Sequence, residues 1–118
     1  MQLLPVYRVT VFVPPEYVET LRAGIHAVDA LALGDYSEVM WITPGGQEEF
    51  RPGAAAHPTL GSAGELVRSD TVRIEFAIPR DAERLQRVLS EGVHRHHPWE
   101  VPAVFVDESW FPMPEVAT

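Results

Sequence analysis

The sequence predicts an α+β domain in which two helices lie on one face of an antiparallel sheet. Two segments, Tyr7–Val13 and Thr71–Ile78, alternate apolar and polar residues as strands do. Each is followed by apolar residues at spacings of three and four, which is typical of a helix with one buried face. The resulting order of strand, helix and strand occurs twice, as a weak internal repeat.

The first unit opens with Tyr7–Val13 and continues into a helix that starts at Pro14-Pro15-Glu16. Proline is tolerated in the first helical turn, and Glu16 suits the positive end of the helix dipole. The apolar stripe of this helix comprises Val18, Leu21, Ile25, Val28 and Ala32. Gly34 is its predicted end, because glycine readily adopts the left-handed cap. A second strand is predicted over Tyr36–Thr43.

A long connection follows, from Thr43 to Gly64, with glycine and proline distributed along it. A short extended piece, Glu49–Arg51, is predicted inside it. Connections of this length are uncommon in a small domain unless they bind a ligand or pack on a neighbour. The glycines match no phosphate-binding pattern, so we interpret them as turn residues.

The second unit has the clearest strand, Thr71–Ile78, followed by a helix whose N-cap is Asp81. The buried stripe of this helix comprises Ala82, Leu85, Val88, Leu89 and Val93. A last strand is predicted at Ala103–Val106, and Trp110–Thr118 is expected to be a loosely held tail. The prediction is thus one domain over residues 1–118, with its core at about 6–106 and a tail at 107–118.

Two strand–helix–strand units in this order form the split βαβ arrangement of ferredoxin-like folds, βαββαβ. Right-handed crossovers place both helices on the same face of the sheet. The opposite face would carry Arg8, Thr10, Phe12, Arg73 and Glu75. This mixture of apolar area and opposite charges favours packing against another subunit, with Phe12, Arg73 and Glu75 in the interface. The alternative is a partly polar sheet face exposed in a monomer.

Composition limits the function classes. The 118 residues are 46% hydrophobic, enough for one packed core. Cysteine is absent, which excludes disulfides, thiolate metal sites and a cysteine nucleophile, and suits a cytoplasmic protein. The N-terminal residues do not have the form of a secretory signal, and no apolar run has the ~20 residues of a membrane span. A net charge of -8 disfavours nucleic acid and anionic membranes as partners.

The strongest candidate site is the helix-to-strand junction His97–Ala103, which combines an imidazole, an indole and a carboxylate between two prolines. We expect the long connection 44–64 to line a cleft with this junction. The predicted ligand-binding residues are Tyr36, Arg51, His57, His97, Trp99 and Glu100. Arg51 could clamp a carboxylate or phosphate, or could pin its own loop through carbonyl groups.

His57, His97 and Glu100 are the candidate metal ligands, for a divalent ion such as Zn, Cu or Ni. A divalent metal is the one cofactor that the sequence brings into consideration. The alternative, which we favour, is structural: His97 caps the junction by donating to a backbone carbonyl. His94 and His96 would then be helix-end residues stabilised by the dipole.

Several short runs occur in a characteristic order, although none is specific alone. They are Tyr7–Val13 with Pro14-Pro15-Glu16, Gly34-Asp35-Tyr36, Thr43-Pro44-Gly45, Phe50-Arg51-Pro52, Gly61 with Gly64, Val72-Arg73-Ile74-Glu75 and His97-Pro98-Trp99-Glu100. Together they resemble the insert domain of YqfO/Nif3-type dinuclear-metal proteins and its stand-alone relatives, over nearly all of residues 6–106. The resemblance implies a PII/CutA-like subunit and commonly a trimer. Trp99 stands where that family usually has Tyr, and His57 departs from its usual Asn-Pro.

The resemblance does not imply hydrolase activity, because the metal ligands of the large proteins lie in two lobes that flank the insert. Three functions remain. The first is a non-catalytic, oligomeric PII/CutA-like module, a trimer or else a dimer, that binds a small ligand or divalent metal between subunits, with a regulatory role. The second is a structural module that docks a protein through loop 44–64. The third is an enzyme that uses His97 and Glu100, ranked last because no nucleophile–base set is recognisable.

Overall fold

A computed structural model describes residues 1–115, and within them four strands and two main helices follow one another. Their bounds are β1 Gln2–Val13, α1 Val18–Val28, β2 Trp41–Phe50, β3 Val67–Pro79, α2 Ala82–Arg87 and β4 Val104–Met113. A 3-10 turn over Pro15–Tyr17 leads into α1, and a π-helical segment over Val88–His94 continues α2.

The four strands form one antiparallel sheet in the order β2-β3-β1-β4. β1 and β3 are the central pair, with Val9 opposite Phe76 and Val11 opposite Ile74. This order, with the sequence βαββαβ, confirms the predicted α+β fold of ferredoxin-like type.

The core lies between the sheet and the helices. Alternate residues of β1 and β3 supply its sheet side: Val9, Val11, Val13, Val72, Ile74, Phe76 and Ile78, all buried. The helical segments add Leu21, Ile25, Val88 and Val93, which are fully buried. Tyr7, predicted with this set, is half-buried and packs at its margin.

The first helix is shorter than predicted, because α1 ends at Val28 and the chain turns extended at Asp29. The Asp29 carboxylate accepts the backbone N–H of Leu31 at 2.9 Å, which draws the chain out of the helix. Leu31 then adopts a positive φ of 48° while its side chain is buried in the core. Ala32 and Gly34 therefore lie beyond the helix.

The second strand begins later than predicted. Tyr36–Met40 is outside β2, whereas Glu49 and Phe50 belong to it. The strand passes through Pro44-Gly45-Gly46 because the pairing register shifts between Thr43 and Gly46, and Gly45 takes a φ of 96° there. A bulge of this kind lets a strand continue through residues that otherwise form turns.

The last strand is longer than predicted. β4 pairs with β1 as far as Gln2 opposite Met113, so residues 107–113 form a strand instead of a tail. The single proline of this segment, Pro112, lies on an edge strand, where a missing N–H is tolerated. The last three residues of the predicted tail, 116–118, lie outside the described part of the chain.

Two glycines, Gly24 and Gly92, allow the two helical segments to pack closely. At Gly92 a methyl group would lie 3.3 Å from the Cα of Ile25, and at Gly24 it would overlap the ring of His96. That ring is held by a 2.9 Å hydrogen bond between His96 Nδ1 and the carbonyl of Gly92.

The predicted N-cap is confirmed: Asp81 accepts the backbone N–H groups of Glu83 and Arg84.

The described chain is elongated, with extents of 60 × 29 × 23 Å. Two strand pairs account for this length, since β2–β3 runs out to Phe50 opposite Val67 and β1–β4 runs out to Gln2 opposite Met113. Because the central strands are antiparallel, these ribbons project from opposite ends of the sheet. Among residues 1–115, no helix has the length and hydropathy needed to cross a bilayer.

Candidate functional site

The long connection folds back onto the helix-to-strand junction. The backbone N–H of His57 donates to Glu100 Oε2 at 2.9 Å, and the Thr59 hydroxyl donates to the carbonyl of Pro98 at 2.6 Å. The rings of Phe50 and Trp99 pack with centroids 5.1 Å apart. Residues far apart in sequence therefore lie against one another in this part of the fold.

The connection is also braced internally. Arg51 Nη1 donates to the carbonyl of Gly64 at 2.5 Å, and the N–H of Gly64 donates to the carbonyl of Pro52 at 2.8 Å. Gly61 has a φ of 80° and lies against Val67, where a Cβ would overlap the valine methyl. Arg51 thus takes the second of its two predicted roles and pins its own loop.

A pocket with a volume of about 230 Å³ lies between the loop and the junction. Its apolar wall comprises Phe50, Pro52, Pro58, Leu60, Trp99 and Val101. Two carboxylates, Glu48 and Glu100, supply its acidic groups. Apolar walls with a few polar groups are typical of small-molecule sites, although this volume is below the roughly 300–1,000 Å³ of pockets for drug-sized ligands.

Glu48 is the unusual polar group of this pocket. Its Oε1 is fully buried, and no group among the described residues 1–115 donates to it. Burial raises the pKa of the Glu48 carboxyl above its ordinary value. An acceptor that is removed from water without a donor is costly.

His97 is buried behind the pocket, and both of its ring nitrogens are engaged. Nε2 lies 2.7 Å from the carbonyl of Phe12, and Nδ1 accepts the backbone N–H of Trp99 at 3.1 Å. This pattern requires a neutral ring with its proton on Nε2. Burial lowers the pKa of His97, and the neighbouring His94 lowers it further, against the opposing effect of the Phe12 carbonyl. His97 is thus the predicted structural cap.

The predicted metal set is not assembled as a ligand cluster. His97 has no ring nitrogen left for a metal, and His57 reaches Glu100 through its backbone N–H. Throughout residues 1–115, no group of three or more His, Asp or Glu side chains is placed to hold a metal ion.

Only some of the predicted ligand-binding residues line the pocket. Trp99 and Glu100 line the pocket, whereas Arg51, His57 and His97 support its walls from outside. Tyr36 does not contribute to the pocket; it is 77% exposed and forms an isolated bridge with Leu33.

Sequence reasoning missed Glu48, Phe50 and Leu60. Glu48 and Phe50 pair directly with Ser69 and Val67, so their side chains share the sheet face of Arg73 and Glu75, away from the helices. Residues 46, 48 and 50 lie on one face of β2. This is recognisable only when the strand is continued through the bulge between Thr43 and Gly46. Leu60 carried no pattern of its own.

The helix-free face of the sheet holds the predicted interface residues together. Phe12 packs edge-to-face on Phe105, with ring centroids 6.3 Å apart. Glu75 Oε1 lies 2.6 Å from Arg73 Nη2 in the same strand, and Thr10 donates to Glu75 Oε2 at 3.4 Å. Arg73 and Glu75 are thus paired within one chain, while Phe105 remains 59% exposed.

No family model matches this chain. Two curated relatives, both named GTP cyclohydrolase 1 type 2 homolog, are similar to it. The Mycobacterium leprae protein is 34% identical over 93 residues, 79% of this chain and 23% of that protein. The Bacillus subtilis protein is 31% identical over 96 residues, 81% of this chain and 25% of that protein. The chain therefore spans about a quarter of the length of the curated relatives it matches.

Three solved structures share the fold. A Bacillus cereus protein related to NIF3 superposes with a TM-score of 0.72 and 28% identity, over 92% of this chain and 27% of its own. A PII-like nitrogen regulatory protein of Thiomonas intermedia, bound to ADP, AMP and bicarbonate, has a TM-score of 0.62 and 14% identity. The match covers 97% of this chain and 100% of that protein. CutA1 of Oryza sativa has a TM-score of 0.60 and 20% identity, over 91% and 82%.

The PII-like protein and CutA1 establish the class of fold, which is PII/CutA-like. The Bacillus cereus protein and the curated relatives narrow the likeness to one segment of Nif3-type proteins.

Proposed function

We propose that this chain is a non-catalytic binding module of PII/CutA type, which holds a small organic ligand between its long loop and the 97–102 junction. The observation that carries the proposal is the return of the loop onto Trp99 and Glu100, which forms a partly open apolar pocket. A loop held by side-chain and backbone bonds across the fold forms its binding site before the ligand arrives.

The module is proposed to be a homo-oligomer, with a trimer favoured and a dimer as the alternative. The helix-free face supports this, because the aromatic side chains Phe105 and Trp41 are 59% and 69% exposed there. Exposed apolar patches of this kind mark association sites. By strand register the pocket residues Glu48 and Phe50 lie on this same face, so an adjoining subunit would approach the pocket and complete an inter-subunit cleft.

Catalysis by His97 and Glu100 is disfavoured by their geometry. To act as a base, His97 would have to release the N–H of Trp99 from Nδ1, and to act as an acid it would have to release the Phe12 carbonyl from Nε2. Glu100 already accepts the N–H of His57. The cyclohydrolase activity in the relatives' name is not transferred, since only about a quarter of their length is matched.

Docking of a protein through residues 44–64 is the second candidate. It is favoured by the exposure of Leu60, at 43%. The pocket and its buried carboxylate oxygen are better accounted for by a small ligand.

Thermal shift measurements with a broad panel test the binding proposal, because a ligand that binds only the folded state raises the melting temperature. The panel contains nucleotides, divalent metal salts, and anionic, neutral and cationic aromatic compounds. We expect at least one organic compound to raise the melting temperature of the natural protein and to lose this effect in Trp99→Ala. Trp110→Ala is the matched control, since Trp110 is exposed, outside this pocket and on the other side of the sheet from Phe105.

Three results would contradict the proposal. One is a panel without any stabilising organic compound. Another is stabilisation that persists in Trp99→Ala. The third is a partner protein whose binding depends on residues 44–64 while no small molecule binds.

A further inference from the structure

We propose that the pocket selects a small aromatic ligand carrying a cationic or N–H-donating nitrogen group, received by Glu48 and stacked on Trp99. This inference rests on the proposed function and names the chemical class of its ligand.

The size and lining of the pocket favour a ligand that contains a planar ring. Its volume of about 230 Å³ suits one small ring system. Phe50 and Trp99 form one wall, with their rings inclined by 57°, and prolines contribute to the other walls. Aromatic and proline side chains offer flat, rigid surfaces that stack on a planar ligand at a small entropic cost.

The charged residues of the pocket favour a ligand with a positive charge. Both ionisable groups that line the pocket, Glu48 and Glu100, are carboxylates, and among the described residues its lining includes no arginine or histidine. The nearest guanidinium on the loop, that of Arg51, is directed at the carbonyl of Gly64. A phosphate or carboxylate ligand would face like charge in apolar surroundings, whereas a cation would be attracted both by carboxylate and by the indole face.

Glu48 and Glu100 differ in the hydrogen bonds that their carboxylates already accept. Glu100 Oε2 already receives the N–H of His57 and so holds the loop. Glu48 Oε1 is buried without a donor among residues 1–115. Glu48 lines the pocket, so a turn of its carboxylate that brings this oxygen to a donating ligand nitrogen would remove the cost of its burial and form a charge-assisted bond. Glu48 is therefore the group that recognises the ligand, and Glu100 is a positioning residue.

Three compounds with the same ring separate the alternatives: benzamidine is cationic, benzamide is neutral with an N–H donor, and benzoate is anionic without one. Binding is followed by Trp99 fluorescence in a Trp41→Phe, Trp110→Phe background, in which Trp99 is the remaining indole. The two replaced side chains are 69% and 59% exposed. We expect affinity to fall from benzamidine to benzamide to benzoate, with at least about tenfold between the first and last.

A matched pair of variants tests the role of Glu48. Glu48→Gln should weaken benzamidine binding about tenfold and reduce its advantage over benzoate. Glu49→Gln removes the same charge from the next residue, which faces the other side of β2 and pairs with Arg68 at 2.9 Å, and should leave both affinities unchanged.

Benzoate binding as tight as benzamidine binding, at a site that depends on Trp99, would overturn this inference while leaving the proposed function intact. Equal effects of Glu48→Gln and Glu49→Gln would likewise overturn the assignment of Glu48. If no organic compound in the broad panel binds, the proposed function fails together with it.

Discussion

Asp29 and Arg84 form a two-pronged ion pair that joins the end of α1 to α2. Arg84 Nε lies 2.6 Å from Asp29 Oδ2, and Arg84 Nη2 lies 2.7 Å from Oδ1. Burial would raise the pKa of Asp29, but the hydrogen bonds from Arg84 and Leu31 and the charges of Arg84 and Arg87 hold it below its ordinary value. The pair ties the end of the first helix to α2.

Removing one member of this pair should destabilise the fold strongly. Arg84→Ala leaves the buried Asp29 carboxylate without its cation, which we expect to cost about 3 kcal/mol of unfolding free energy. Arg68→Ala is the control, because Arg68 forms an exposed pair with Glu49 and its loss should cost less than about 1 kcal/mol. Urea denaturation measures both values, and equal losses would contradict the structural role of Asp29.

Gly24 should tolerate alanine only when His96 is removed. In the natural protein the added methyl group overlaps the His96 ring, so the ring must move and give up its bond to Gly92. We expect Gly24→Ala to destabilise by about 1 kcal/mol or more. In a His96→Ala background the same change should instead stabilise by up to about 1 kcal/mol, because alanine is the better helix former. A change of the same sign in both backgrounds would contradict this packing.

His97 should make stability depend on pH near neutrality. Its folded-state pKa is lowered below the ordinary 6.5, so the unfolded chain binds more protons between these two values. The stability present above pH 6.5 is therefore lost as the pH falls through that window toward the folded-state pKa. His97→Asn should be less stable and should lack this part of the pH dependence, whereas the control His57→Asn at an exposed position should retain it. Melting temperatures from pH 8 to 5 test this.

Glu48 should destabilise the ligand-free protein at neutral pH. Its folded-state pKa is raised above the ordinary 4.5, so the folded protein binds more protons in that window and stability falls as the pH rises through it. Glu48→Gln removes the buried charge and should raise the melting temperature at pH 7 while weakening ligand binding. A lower melting temperature would indicate that the carboxylate has a structural partner.

The helix-free face should control assembly. Phe105→Asp places a charge in the exposed aromatic pair with Phe12 and should shift the oligomer toward single subunits. Arg73→Ala should weaken assembly more than it weakens the subunit fold. Ala23→Asp, on the exposed face of α1, is the control and should leave the mass unchanged. Sedimentation measures the mass, and a natural protein that sediments as one subunit would refute the oligomer.

Local patterns were sufficient for much of the fold. The alternation of β1 and β3, the stripes of both helices and the Asp81 cap follow from periodicity and hydrogen bonding between near neighbours, so the strand–helix order was predictable. Two members of the predicted stripes, Ala32 and Ala82, are nevertheless exposed. Trp99 and Glu100 were recognisable because a helix-to-strand junction concentrated their side chains.

The sequence by itself determined the α+β class, the helix-facing residues and the position of the junction, since these depend on neighbours along the chain. Only the tertiary structure decided where α1 ends, how β2 passes Gly45, and that Glu48 meets Trp99 in one pocket. Each of these depends on partners distant in sequence, namely Arg84 for Asp29, β3 for β2 and the junction for the loop. The energy of such contacts is set by the packed fold, which no local pattern encodes.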